Sequence, residues 1–271
     1  MKVAVLMSQS LETKDIQVAF SRPEEEALVE RYGWNGRLKP TDGDSLALIE
    51  TNIGGQKTDE AIAEDVNQQV TVHDDGTITE DVTLRRTDTA QKGDLFRGVR
   101  NVSYLRAYVP EGAKLLSATG FNTPDAKLFK PPEEAGATDP MIASAEQTLM
   151  AQNGADVFVE SGHTVFGGWM QLDPGNSQRI MLSYRLPFTV QELLSKVEAS
   201  TNSSQAPRAA YTLLLTSQSG KTQRTVNSSV TLPEGWKVDW SRPIQATSSA
   251  LGIQGTWDRD LVIAALLTPK P

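Results

Sequence analysis

Apolar and polar residues alternate along most of the chain, and this alternation predicts β-strands. The clearest run has apolar positions of one parity at Val66, Val70, Val72, Ile78, Val82 and Leu84. A period of two is typical of a strand with one buried face. Asp74, Asp75 and Gly76 interrupt the run with residues that tolerate left-handed backbone. The pattern therefore predicts a hairpin over residues 66–84.

An extended segment with a central Pro-Glu-Gly turn occurs twice, at residues 102–119 and 226–240. Each copy predicts a strand, a turn whose glycine takes a positive φ, and a second strand. Further alternating runs predict strands at residues 157–160, 165–172, 180–186, 211–216, 253–257 and 261–267.

Helix signals are fewer. Ser21 and Glu24 have the spacing of a capping box, and Gly33 is a typical helix end, so residues 21–33 predict a helix behind a strand at 15–20. Thr189 and Glu192 have the same spacing before an apolar stripe that ends at residue 197. A short helix is also predicted to begin at residues 139–140 and end at Gly154.

These elements predict a mainly β protein with antiparallel β-sandwich-like modules in tandem, a small mixed α/β N-terminal segment and a few short helices. Residues 1–60 are interpreted as the mixed segment, the C-terminal edge of a truncated domain. Residues 61–199 form the first module, with a loop and helix insertion at 122–155. Residues 208–271 form a small all-β module after a linker at 200–207.

Composition narrows the classes of function. The chain has 271 residues, 34 acidic and 26 basic, for a net charge of −8. Nucleic acid and anionic membrane are therefore unfavoured partners, because both need clustered cations. The absence of cysteine excludes disulfides, thiolate catalysis and cysteine-ligated metal. No apolar run reaches the ~20 residues of a membrane span, and residues 1–11 make a poor signal peptide.

Motifs of catalysis are incomplete. The stretch Ser217–Thr222 resembles the end of a phosphate-binding loop, but Leu215 stands where the motif needs glycine, so a hairpin turn is the better interpretation. Ser161 and His163 share a face and could touch, yet no nucleophile-elbow or zinc-protease motif accompanies them or His73. No catalytic residue is predicted.

Acidic residues gather in turns at Asp42, Asp44, Asp74, Asp75, Asp258 and Asp260. Calcium takes about six to eight oxygen ligands, but no twelve-residue calcium loop is present, and aspartate is a favoured turn residue. A glycosidase would need two carboxylates about 5 to 9.5 Å apart in a cleft. The sequence predicts no metal ligand and no cofactor.

The stretch Glu50–Ala61 is the strongest candidate for a binding loop. It places Asn52, Gly54, Gly55, Lys57 and Asp59 directly after an apolar strand. Paired glycines allow a close backbone approach, and loops on rigid strands commonly carry function. A structural bend between two domains explains the stretch equally well.

Several segments together resemble a known family. They are S-x-P-E at residue 21, G-W-N-G at 33, ETNIGGQKTDEAI at 50, SYLRAYVPEGAKLLSATGF at 103, V-F-G-G-W at 165 and YRLP at 184. In this order they resemble the C-terminal half of bacterial surface proteins of domain of unknown function family 4012. Gly54-Gly55, Lys57, the YVPEG segment and residues 184–187 carry the resemblance best, and the insertion between Phe121 and Val157 departs from it.

The resemblance implies a setting and no established activity. It implies an extracellular fragment of a membrane-anchored protein at the bacterial cell surface, whose anchor is absent from this chain. The leading hypothesis is a non-enzymatic envelope protein whose β modules act as a stalk or as a surface that binds glycan or protein. The alternative is a hydrolase of envelope polysaccharide, with its carboxylates brought together between the α/β segment and the first module.

Overall fold

A computed structural model of the chain describes residues 2–128, 139–140, 150–193, 208–242 and 250–269. The helices are α1 (Lys2–Glu12) and α2 (Pro23–Tyr32), with short 3-10 turns at Thr58–Ala61 and Ala126–Leu128. The strands are β1 (Asp44–Asn52), β2 (Ile62–Val72), β3 (Thr77–Asp88), β4 (Asn101–Pro110), β5 (Lys114–Thr119), β6 (Met150–Gln152), β7 (Ala155–Glu160), β8 (His163–Leu172), β9 (Ser177–Thr189), β10 (Ala209–Thr216), β11 (Arg224–Thr231), β12 (Trp236–Arg242), β13 (Ala250–Thr256) and β14 (Leu261–Pro269).

The strands form two sheets that pack face to face, which confirms a mainly β, sandwich-like fold. The eight-stranded sheet has the order β12-β14-β10-β1-β4-β8-β7-β6, and the six-stranded sheet has the order β13-β11-β2-β3-β9-β5. Among the described strands, pairing is antiparallel except at two places, where β1 runs parallel to β10 and β2 runs parallel to β11. Both parallel pairs join an early strand to a late one.

The sheets are continuous across the predicted segment boundaries. In the eight-stranded sheet β1, from residues 1–60, lies between β10, from residues 208–271, and β4, from residues 61–199. In the six-stranded sheet β11 and β2 join the two later segments. The division of the chain at these boundaries stays a prediction, and the predicted linker at 200–207 lies outside the described residues.

Both Pro-Glu-Gly turns are corners between the two sheets. The carbonyl of Pro110 accepts a hydrogen bond from Ala113 N at 3.0 Å, and that of Pro233 accepts one from Trp236 N at 3.2 Å. Gly112 and Gly235 have φ values of 90° and 89°. The first turn leads from β4 to β5 and the second from β11 to β12, which in each case lie in different sheets. The predicted strand, turn and strand are confirmed, and the two strands do not pair.

The helix signals have mixed outcomes. Helix α2 and its end at Gly33 are confirmed, but the Ser21 capping box is wrong: Arg22 is the cap residue and makes no side-chain cap bond. Thr189 and Glu192 do form a reciprocal cap, and residues 190–193 are helical. The predicted strand at 15–20 is wrong, because Ile16 N bonds to Ser10 O and Val18 N to Trp34 O, and no ladder with a neighbouring described strand forms.

The predicted helix of the insertion lies largely outside the described residues. Its expected end is wrong, however, because Gly154 has φ 94° and forms the turn of the β6–β7 hairpin. The core between the sheets is filled by the inward parity of each strand, as in β2, where Val66, Val70 and Val72 are buried. Several polar residues share that inward parity, and these build the interior described next.

We predict that Gly235→Ala destabilises the sandwich by about 1–2 kcal/mol, because an alanine at positive φ strains the backbone even though no atom lies within 4 Å of its Cβ. Gly255→Ala is the matched control, since that strand glycine also has open space and lacks a positive φ. The measurement is the free energy of unfolding in urea. Equal losses for the two variants would show that the corner does not require left-handed backbone.

Candidate functional site

Hydrogen bonds within the predicted binding loop, and to the neighbouring strand β4, stabilise its conformation. Asn52 Nδ2 donates to the carbonyl of Gly55 at 3.3 Å and to Thr58 Oγ1 at 3.1 Å. Gly54 N donates to the carbonyl of Val102 at 3.0 Å, and a Cβ on Gly54 would approach the Val102 side chain to 3.2 Å. Gly55 and Gln56 both have positive φ. Gly54 therefore serves the close backbone approach that the sequence suggested, and Gly55 supplies a positive φ.

The other two predicted residues face different surroundings. Asp59 Oδ1 accepts a bond from Asn101 Nδ2 at 2.7 Å, so this carboxylate belongs to the scaffold below the loop. The backbone N of Lys57 donates to the carbonyl of Phe96, and the side chain of Lys57 is exposed. Lys57 is thus the charged member of the predicted set that is available to a partner, and a binding role for the loop stays a prediction.

A buried ionic cluster lies behind this loop, between the sheets. We call this group the ionic cluster. Its members are Glu50 from β1, Glu64 from β2, Arg86 from β3, Lys221 from the β10–β11 turn and Arg224 from β11. Arg86 reaches Glu50 at 2.9 Å and Glu64 at 3.3 Å. Arg224 reaches Glu64 at 2.7 Å and Glu50 at 3.1 Å. Lys221 Nζ lies 2.8 Å from Glu50 and 3.0 Å from Glu64.

Every carboxylate oxygen of the cluster accepts at least one charged donor. Burial alone would raise the pKa of Glu64, but Arg224, Lys221 and Arg86 hold that pKa well below its ordinary range. Burial likewise disfavours the charged form of Lys221, and the two glutamates outweigh it and raise the pKa of the ammonium. Arg224 also donates to the carbonyl of Leu48 and lies 5.4 Å from the ring centre of Trp257. Glu64 and Lys221 are therefore both charged near neutral pH.

The apparent phosphate-loop stretch supplies a structural part of this cluster. Its hairpin interpretation is wrong in one respect, since the turn leads from β10 in one sheet to β11 in the other. Lys221 is buried against the two glutamates rather than free for a phosphate. The amide of Gln218 exchanges two 2.8 Å bonds with the backbone of Glu50, which prolongs the parallel β1–β10 pairing through a side chain.

A second buried polar cluster pairs two acids from opposite sheets. Tyr211 donates to Asp44 Oδ2, and Tyr184 donates to Glu80 Oε2 at 2.7 Å. Asp44 Oδ1 and Glu80 Oε1 have no hydrogen-bond partner within the described residues, and burial raises the pKa of Asp44. Burial raises the pKa of Glu80 well above its ordinary range, and the charge of Asp44 adds to this. Gln68 Nε2 completes the donors to Glu80.

These acids bear on the hydrolase alternative. Asp44 comes from the α/β segment and Glu80 from the first module, so the structure does bring two carboxyl groups together at that junction. Asp44 is 1% exposed and Glu80 0% exposed, and both lie between the sheets. A polysaccharide cannot reach them without separation of the sheets, so this pair lacks the open cleft that glycoside hydrolysis needs.

The remaining candidates for chemistry are dispersed. His163 Nδ1 lies 2.9 Å from the carbonyl oxygen of Ser161, so the two residues meet through the backbone and not through the hydroxyl. His73 Nε2 bonds to Thr79 at 2.8 Å. The turn aspartates lie at three separate places, where Asp75 accepts from Thr77 and Asp260 binds Lys14 at 2.6 Å. Within the described ranges, no three acidic or histidine side chains converge as metal ligands.

A shallow groove on the outer face of the six-stranded sheet was not predicted. It has a volume of about 560 Å³ and crosses β13, β11, β2, β3 and β9. Its polar side chains form two adjacent cross-strand rows, Thr256–Thr225–Asp65–Arg85–Arg179 and Gln254–Asn227–Asn67–Thr83. We call it the outer groove. The signal that could have revealed it is the run of amide, hydroxyl and charged residues on the outward parity of the strands.

The outer groove and the ionic cluster lie on opposite faces of the same strands. Arg224, Glu64 and Arg86 are cross-strand neighbours that point inward, and Thr225, Asp65 and Arg85 are the next residues along, pointing outward. Within the groove Asn227 Nδ2 donates to Asn67 Oδ1 at 3.0 Å, and Thr225 donates to Asp65 at 2.8 Å. The groove therefore rests on strands whose positions are fixed from below.

Comparison with known proteins gives little guidance. No protein-family model and no curated protein sequence matches the chain significantly. A protein of Legionella pneumophila, provisionally described as a nutrient binding protein, is similar with a TM-score of 0.37 and 7% identity, over 83% of this chain and 71% of that one. An M1 zinc metallopeptidase of Deinococcus radiodurans gives 0.30 and 13%, over 78% and 43%. This chain thus spans less than half of the peptidase, and scores so low support no argument about function.

The part of the chain that the structure describes contains no candidate membrane-spanning helix. Neither α1 nor α2 is both long and apolar enough to cross a bilayer.

We predict that Glu64→Gln lowers the free energy of unfolding by about 3–5 kcal/mol at pH 7, because it leaves buried cations without their counter-charge. Since the folded pKa of Glu64 is depressed, its contribution is present above the unfolded value of about 4.3 and is lost as pH falls below it. Urea titrations from pH 7 to pH 3 measure this. Glu25→Gln, in an exposed pair with Arg22, is the control and should change stability by less than about 0.5 kcal/mol.

We predict the opposite pH dependence for the second cluster. Because the folded pKa of Glu80 is raised, its contribution is fully present below the unfolded value of about 4.3, and it falls by up to about 1.4 kcal/mol per pH unit as pH rises from there to the folded pKa. Glu80→Gln keeps a neutral hydrogen-bonding group there and should abolish this decline, which urea titrations at rising pH above about 4.3 measure. An unchanged slope in the variant would show that the pair does not hold a proton.

Proposed function

We propose that this protein is a non-enzymatic glycan-binding protein of the bacterial cell envelope and that the outer groove is its binding surface. The observation that carries the proposal is the double row of amide, hydroxyl and guanidinium side chains across five neighbouring strands. The neighbouring hydroxyls of a sugar ring need donors and acceptors side by side, and Asn and Gln amides provide both in one plane. A groove of about 560 Å³ falls in the usual range for ligand sites.

Rigidity of the groove supports the same proposal. Hydroxyl and amide groups bind sugars well only when they are already held in place, since ordering side chains on binding weakens affinity. The Asn227–Asn67 bond and the Thr225–Asp65 bond orient two of these pairs in advance. The ionic cluster on the inner face then prevents the three strands from shifting relative to one another.

The polar face is also unlike a catalytic centre. The described acids that meet in pairs, Glu50 with Glu64 and Asp44 with Glu80, are buried between the sheets and have partners there. The envelope setting is the part of the proposal that rests on the family resemblance alone. With its amide rows the groove fits presentation and adhesion better than turnover.

We predict that the wild-type protein is retarded in affinity electrophoresis through gels containing bacterial cell-wall polysaccharide. The double variant Asn67→Ala/Asn227→Ala should bind about tenfold more weakly, because it removes at least two hydrogen-bonding groups of about 0.5–1.5 kcal/mol each. Asn176→Ala, an exposed asparagine in the turn before β9, is the matched control and should bind as the wild type does.

The predicted loop is tested in the same gels. Lys57→Ala removes an exposed cation and leaves the hydrogen bonds of Asn52 and Asp59 intact, so it should not affect folding. Loss of binding in Lys57→Ala with full binding in the groove variant would move the site to the loop. Absence of retardation in every gel would overturn glycan binding itself.

A further inference from the structure

Two arginines stand side by side at one end of the outer groove. Arg85 on β3 and Arg179 on β9 are direct cross-strand partners in the antiparallel register. Both side chains are exposed and both line the groove. Among the described residues neither makes a hydrogen bond or an ion pair through its guanidinium, in contrast to Arg86 and Arg224 on the inner face.

Such a pair is unfavourable by itself. Like charges directly opposite on neighbouring strands repel, with Cβ atoms only about 5 Å apart. The chain has a net charge of −8, so acidic residues that could pair with these two arginines are plentiful, and the lack of an ion pair at either guanidinium within the described residues is unusual. A bound anion relieves the repulsion, and a planar carboxylate accepts paired N–H bonds from guanidinium groups.

We propose that the glycan held in the outer groove is acidic and that Arg85 and Arg179 together bind a carboxylate of a uronic-acid unit. This inference rests on the proposed glycan-binding function and names the class of glycan. The amides of Asn67 and Asn227 contact the hydroxyls of the neighbouring sugar units, and the arginine pair selects the charged unit.

One carboxylate in the groove predicts whether a charge-removing substitution should strengthen or weaken binding of an acidic ligand. Asp65 lies opposite Arg85 on its other side, in register on β2, and accepts the hydroxyl of Thr225. Its charge opposes an acidic ligand, and an asparagine oxygen can still accept the Thr225 hydroxyl, so Asp65→Asn should tighten binding of the acidic oligomer more than binding of its reduced, neutral form. A groove built for neutral glycan would show no such response.

The test uses oligomers of alginate and of polygalacturonate, each beside the same oligomer after reduction of its carboxylates to alcohols. Titration calorimetry at low salt should show the wild type binding at least one acidic oligomer about tenfold or more tightly than its reduced form. Arg85→Gln/Arg179→Gln should lose that difference while keeping its thermal midpoint. Arg22→Gln/Arg31→Gln, at the cap and in the last turn of α2, also removes two positive charges, away from the groove, and should bind as the wild type does.

The outcomes separate the two proposals. Two results would overturn the inference that the glycan is acidic and leave glycan binding intact. One is equal binding of the acidic and reduced oligomers, and the other is binding of cell-wall polysaccharide by a protein that binds none of the acidic oligomers. Failure with every oligomer and every cell-wall polysaccharide overturns both. Equally tight, Arg85-dependent binding of poly-glutamate would show that the arginine pair recognises charge alone, which also overturns the inference.

Discussion

Two buried glutamates shared among three cations hold the sheets of this sandwich in register. Glu50 comes from the eight-stranded sheet and Glu64 from the six-stranded one, and each binds Arg86, Lys221 and Arg224. Charges in a dry interior are tolerated only when each has well-placed partners, and here every carboxylate oxygen has one. The cluster therefore permits one relative position of β1, β2, β3 and β11, and it forms at the parallel pairs that join early and late parts of the chain.

Strand geometry carries this constraint to the surface. Because successive side chains point to opposite faces, fixing Arg224, Glu64 and Arg86 also fixes the outward residues one step along. The outer groove gains a rigid floor, and its arginine pair can be held together despite repulsion. Buried ion pairs often add little net stability. Here the buried ion pairs fix the positions of the strands that carry the face proposed to bind glycan.

The two interior clusters differ in one respect that decides their chemistry. The cations of the ionic cluster keep the pKa of Glu64 low, whereas burial and the charge of Asp44 keep the pKa of Glu80 high. Identical residue types therefore act as an anion in one place and as a proton carrier in the other. The structure also explains why paired acids at the module junction need not indicate hydrolysis, since both pairs are sealed between sheets.

The sequence by itself determined the local structure. Period-two alternation located most strands, glycines at positive φ located the two corners, and Thr189 with Glu192 located a helix cap, because each depends on near neighbours alone. It did not reveal that Glu64 and Arg86 share the inward parity of the valines, although that parity was visible, because burial of a charge depends on partners 36 or 160 positions away. The Asp15–Phe20 alternation failed for the same reason, since a strand needs a ladder partner. Only the tertiary structure decided which strands cross between sheets, which ions are buried and which outward rows form a groove.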